Sequence, residues 1–161
     1  MTAPDPAAFA SVFASVLALP PSRAERILLA LTAGLGALGV TLSAAEAHVA
    51  PGTGLQSAAL LSLVTAPACL AFLGCGRVGL LPPRFALILT ALLWLGCFLF
   101  AASLSAKILS PLLPSGHALT GLVLGLAQIP MLAPFGGSLM ILVWLSGIVA
   151  AFWPYRSTNG T

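Results

Sequence analysis

Side chains able to do acid–base or ligand chemistry are scarce in this sequence. Six cations, three acids and two histidines are spread over 161 residues. Within the apolar stretches the acids reduce to Glu46, with His48 two residues on and Lys107 and His117 much later. A carboxylate held in a membrane is costly and usually functional, so Glu46 and His48 are candidates for binding a proton or a cation. Both histidines with Glu46 could also hold a metal or a quinone headgroup. The competing reading is an interfacial acid, hydrated or paired with Lys107 or His48. His48 then caps its helix and His117 faces solvent. No Ser/His/Asp constellation, paired carboxylates or phosphate loop occurs. One glutamate and no aspartate within the spans leaves little for general acid–base work. The expectation is a non-enzyme with no catalytic residue, no metal and no cofactor.

Cys69, Cys75 and Cys97 all fall in apolar segments and match no zinc or redox spacing, so they read as small packing residues. The composition is 60% hydrophobic and 6% charged, with mean hydropathy +1.12. Soluble domains carry roughly a quarter charged residues. These values exclude a soluble enzyme and a nucleic-acid binder, and they indicate an all-α polytopic membrane protein whose solvent is the lipid bilayer.

The elements that must position the candidate residues follow from hydropathy and punctuation. Residues 1–22 begin with Asp5 and have no cation before Arg23, so they are not read as a secretory signal. Phe9, Val12, Phe13, Val16 and Leu17 recur at helical spacing, which predicts an N-terminal amphipathic segment stopped by Pro20-Pro21. Ser22 and Glu25 form a capping box for the first span. That span, about 27–48, is uncharged from Ile27 to Ala45 and nearly crosses a hydrocarbon core of about 30 Å.

Its Gly34-Leu-Gly36-Ala-Leu-Gly39 fits GxGxxG, yet no strand precedes it, so dinucleotide binding is not expected. Gly36, Gly39, Ser43 and Ala47 fall near one helical face, and small residues let helices approach closely in a bilayer. Further spans are expected at about 55–74, with a kink at Pro67, at about 85–106, with Gly96 as a packing residue, and at about 135–153. Ile108 to Tyr155 carries no charge. Residues 117–129 are too short to cross comfortably and read as an interfacial or re-entrant helix. Pro134, Gly136 and Gly137 read as a structural turn leading into the last span. The four-helix domain thus covers 23–156, and 157–161 is a polar tail. On four spans Arg23, Arg26, Arg77, Arg84 and Arg156 share one side and Lys107 takes the other, which places both termini in the cytoplasm.

Three motifs in order carry a resemblance. Gly36-Ala-Leu-Gly39 with Ala44-Ala-Glu-Ala-His48, then Leu95-Gly96 with Leu99-Phe100-Ala-Ala-Ser103, then Ala133-Pro134-Phe-Gly136-Gly137 before Leu142-Val-Trp144-Leu145 resemble the YgdD/YwdK-like small multi-pass membrane protein family of bacteria, a domain of unknown function. The similarity spans about residues 27–153. Where such proteins carry a second histidine in helix 2, Thr65 stands here, and Glu46 replaces a small residue. The resemblance implies a four-span inner-membrane protein, and it supplies no activity because none is established for the family.

The functional expectation is a structural or accessory subunit that packs with itself or with a larger membrane complex and binds no nucleic acid. The alternatives are a small-solute or proton transporter or channel using Glu46 and His48, and a redox or quinone-associated subunit.

Overall fold

A computed structural model describes residues 20–112 and 131–152, together with positions 11, 14, 121, 125 and 129. Every regular element among them is helical: α1 (Arg23–His48), α2 (Leu55–Arg77), α3 (Pro83–Leu109), a 3-10 turn (Ser110–Leu112) and α4 (Leu132–Phe152). All four α-helices are long and apolar enough to cross a membrane. The expected amphipathic segment at 1–22 and the interfacial helix at 117–129 lie outside the described residues, save for single positions.

Local chemistry accounts for the helix ends. The Ser22 Oγ accepts the Glu25 N–H at 3.2 Å, and the Ser22 N–H donates to Glu25 Oε2 at 2.7 Å, which completes the capping box. α1 therefore starts four residues before its uncharged run. Gly52 and Gly54 take positive φ in the turn to α2, and Gly79 does so just past the α2 C-terminus. Pro83 opens α3 at its first position, where its missing N–H costs nothing. α2 runs on through Pro67, which is exposed, and ends at Arg77 rather than near Gly74. α3 continues past Lys107, whose side chain is exposed.

The last helix differs in its start. α4 begins at Leu132, so Pro134, Gly136 and Gly137 lie within its first turns instead of forming a turn ahead of it. Proline is tolerated there because the first N–H groups of a helix have no partner within it.

Consecutive helices pack as antiparallel neighbours, α1 on α2, α2 on α3 and α3 on α4, and α1 also meets α3. α3 is thus the hub, and α4 leans on its flank. The core lies in two clusters. One joins Leu35, Cys69, Leu89, Leu93, Cys97, Met140 and Val143, and the other joins Leu42, Leu55, Ala58, Ala59 and Ala101. In lipid such contacts stabilise through close van der Waals packing rather than escape from water, which favours small residues at the crossings.

Candidate functional site

The residues with chemical potential separate into two ends and an interior. At one end, the last turn of α1 carries half-buried Glu46 and exposed Ala47 and His48. Both Glu46 oxygens are engaged by the turn that follows. Oε1 accepts the Gly52 N–H at 3.1 Å, and Oε2 lies 3.1 Å from the Thr53 hydroxyl. The Thr53 Oγ1 is also 2.7 Å from the Ala50 carbonyl, so its single proton is shared between two acceptors. Glu46 thereby ties the end of α1 to the approach of α2. His48 sits where a cation suits the negative end of a helix. Lys107, in the last turn of α3, points outward at the same end. His117 lies outside the described residues. The structure brings Glu46 together with Gly52 and Thr53, and not with His48 or Lys107. Among the described residues no group of three histidine, cysteine or acidic side chains could hold a metal.

Arg23, Arg26, Arg77 and Arg84 gather at the opposite end. Glu25 does two jobs there. It completes the cap, and it accepts the Arg77 guanidinium in a fork, Nε at 2.8 Å and Nη2 at 3.2 Å. The pair joins the start of α1 to the end of α2. Sequence reasoning missed it because the partners are remote in the chain and Glu25 was already explained by its cap. Arg23, Arg26 and Arg84 are exposed and make no ion pair among the described residues. A hollow of about 230 Å³ at this end is bordered by Ser22, Glu25, Gly76 and Arg84.

The interior is polar but neutral. Thr32, Ser62, Thr65, Thr90 and Ser103 are buried, as are Cys69 and Cys97. Ser62 and Thr90 donate to the carbonyls of Ala58 and Ala86 one turn back, both at 2.8 Å. Such back-bonding satisfies a hydroxyl without a partner helix. The Cys69 thiol lies 3.8 Å from the Thr90 carbonyl, and the Cys97 thiol lies 4.0 Å from Ser62 Oγ. The hydroxyls of Ser103 and Ser105 are buried without a hydrogen-bond partner among the described residues. Among the described residues no charged side chain is buried in this layer.

Small residues form the closest contacts. A Cβ placed on Gly39 would stand 2.8 Å from Leu63 Cγ and 3.1 Å from the Ala59 carbonyl oxygen, and one on Gly36 would stand 3.7 Å from Ala66 Cβ. Gly36 and Gly39 therefore face α2, with half-buried Ser43 continuing the seam. Ala47 shares the helical phase, but it lies beyond Leu42, which packs with the first residue of α2, Leu55. It has run past the end of its partner helix. Gly96 packs on α4, where a Cβ would meet Met140 Cγ at 2.8 Å and the Gly136 carbonyl at 2.9 Å. Gly136 answers it, 2.5 Å from the Gly96 carbonyl by the same construction, while Gly137 has open space. The role of Gly136 is thus helix contact rather than turning the chain.

Two tryptophans bind helices together. Trp94 on α3 donates its indole N–H to the Leu31 carbonyl on α1 at 2.8 Å and stacks on Phe98. Trp144 on α4 tilts against Phe72 on α2 with ring centroids 5.8 Å apart.

One concavity faces away from this core. A groove of about 540 Å³ between the start of α3 and the second half of α4 is lined by Leu80, Pro82, Phe85, Leu142, Leu145, Ser146, Val149 and Ala150. Compared with protein-family models, with curated proteins and with solved structures, the chain finds no match.

Proposed function

We propose that this chain is a small non-enzymatic subunit of the bacterial inner membrane, structural or accessory, which packs with a second copy of itself or with a larger membrane complex. The observation that carries this reading is a second small-residue face on α1. Ala30, Gly34, Ala37, Thr41 and Ala44 recur at helical spacing and are all exposed. A Cβ on Gly34 would meet nothing within 4 Å. Thr41 returns its hydroxyl to the Ala37 carbonyl at 2.9 Å, so the face is smooth and offers no unmet donor. Such a face suits a neighbouring helix, because backbones can approach there with little side chain to displace. The resemblance to the YgdD/YwdK-like family agrees with a four-span protein. The arginine end agrees with cytoplasmic termini.

Gly34→Leu tests this reading. The protein is to be purified in mild detergent and its mass measured by light scattering. The expectation is an assembly for the native chain and a lower mass for the variant, with helicity unchanged. A native chain that stays monomeric at every concentration, and that co-purifies with nothing from its own membrane, sinks the proposal. Disulfide formation between Gly34→Cys chains distinguishes self-packing from a foreign partner.

The transport reading has less support. It asks for Glu46 to face a path, whereas both carboxylate oxygens close the α1–α2 turn. Its test is Glu46→Gln in liposomes, where unchanged flux in a working assay removes it.

A further inference from the structure

We infer that the groove between α3 and α4 is a binding site for one anionic phospholipid, with an acyl chain lying in the groove and the phosphate at Arg84. This inference does not depend on the assembly proposed through α1, which uses a different helix.

The lining decides the chemistry of the occupant. Seven of its eight described lining residues are apolar, and the exception, Ser146, donates its hydroxyl to the Leu142 carbonyl at 2.7 Å. Among the described residues the groove therefore presents no free side-chain hydrogen-bond donor, and it suits hydrocarbon rather than a polar solute. Leu142, Leu145 and Val149 are 60%, 52% and 59% exposed, so the groove opens to the lipid-facing side of a spanning bundle.

Length separates an acyl chain from a partner helix. The lining on α4 runs only from Leu142 to Ala150, and Leu80 and Pro82 of the α2–α3 connection close its end. Eight steps of helical rise amount to about 12 Å. Half of a hydrocarbon core is about 15 Å. The concavity thus occupies one leaflet, whereas a second transmembrane helix would cross both. A chain descending from headgroup level matches that depth.

Charge sets the head of the lipid. Arg84 lies in the first turn of α3, between the lining residues Pro82 and Phe85 in sequence, and it is exposed and outside any ion pair among the described residues. Its side chain borders the hollow of about 230 Å³ near Ser22 and Glu25, and the next residue, Phe85, lines the groove. Arg23 and Arg26, also exposed, share this end, so the local field favours an anion.

The full chain in a zwitterionic detergent, mixed with dioleoyl-phosphatidylglycerol or dioleoyl-phosphatidylcholine and read by native mass spectrometry, tests the site. One phosphatidylglycerol per chain is expected to be retained in preference to phosphatidylcholine. Arg84→Gln is expected to weaken phosphatidylglycerol retention about fivefold, the scale of one arginine near an anionic headgroup. Arg23→Gln is expected to weaken it less than Arg84→Gln does, because Arg23 contributes only to the field of this end. Val149→Trp, which fills the groove from an exposed position, is expected to abolish retention. Leu80→Trp at the groove end serves if Val149→Trp does not fold, and its fluorescence is expected to be quenched by a brominated phosphatidylglycerol.

Equal retention of the two lipids overturns the proposal. So does equal loss in Arg23→Gln and Arg84→Gln, which means a diffuse basic surface. Undiminished retention in the groove variant overturns it as well. Loss of assembled mass in that variant shows a protein occupant instead of a lipid.

Discussion

α1 presents two faces made of the same kinds of residue, and they meet different surroundings. Its inner face sets Gly36 and Gly39 against Ala66, Ala59 and Leu63 of α2, with Leu35 and Leu42 buried on either side. Its outer face sets Ala30, Gly34, Ala37 and Ala44 in the open. Within one short motif, a Cβ on Gly34 would meet nothing within 4 Å, while one on Gly39 would meet both Leu63 and the Ala59 carbonyl. The difference shows that a small-residue pattern states where a helix can approach, while the rotation of the helix states where one does. A covered glycine supports the fold of the chain, and an open one is available for contacts outside it.

Substitutions can break or sharpen that contrast. The largest effect is expected at the α3–α4 crossing, where Gly136→Ala puts a Cβ 2.5 Å from the Gly96 carbonyl oxygen and 2.8 Å from the Phe100 nitrogen. Backbone cannot swing aside as a side chain can. The loss should reach or exceed the ~1–3 kcal/mol of core overpacking, seen as a large fall in melting temperature in detergent. A variant melting with the native protein would show that the crossing is looser than described.

Gly39→Ala comes next, because its nearest neighbour is the half-buried Leu63 side chain, which can yield, while the Ala59 carbonyl oxygen at 3.1 Å is backbone and cannot. A loss within the ~1–3 kcal/mol of core overpacking is expected. Ser22→Ala removes the α1 cap and should cost about 1 kcal/mol. Hydrogen exchange should place that change in the first turn of α1, and a uniform change along the helix would argue against it.

Glu46→Gln keeps one acceptor for the α1–α2 turn and exchanges the other for an amide. Faster exchange of the Gly52 amide with little change in melting is the expected result, and unaltered exchange there would remove the clamp from the account. The smallest effect belongs to Gly34→Ala, where nothing is close enough to be displaced. Its melting should stay within about 0.5 kcal/mol of native in the unassembled protein. A large drop would mean that the outer face is covered within the chain itself.

Much of the architecture was readable from residues. The capping box at Ser22 and Glu25 and the Gly52–Gly54 turn are local signals, and each stands where local chemistry puts it, whereas the third helix begins at Pro83 rather than at about 85. Gly36, Gly39 and Gly96 were identifiable as packing residues from size and spacing. Ala47 shows the limit of that reasoning, since helical phase does not reveal where the partner helix stops. Gly136 shows another, because Pro-x-Gly-Gly suggests a turn until the helix is seen to start at Leu132. The Glu25–Arg77 fork and the Trp94 bond to Leu31 join residues far apart in the chain, and no local pattern announces them.

The amino-acid sequence by itself determined that four apolar helices form, though not where each one ends. The cost of placing a charge or an unpaired backbone group in hydrocarbon belongs to each segment alone. Only the tertiary structure decided which glycines are covered, which carboxylate clamps a turn and which holds an arginine, and where α3 and α4 part to leave a groove. Those outcomes depend on the relative rotation and depth of packed helices. Both are set by distances of closest approach between side chains that the sequence keeps far apart.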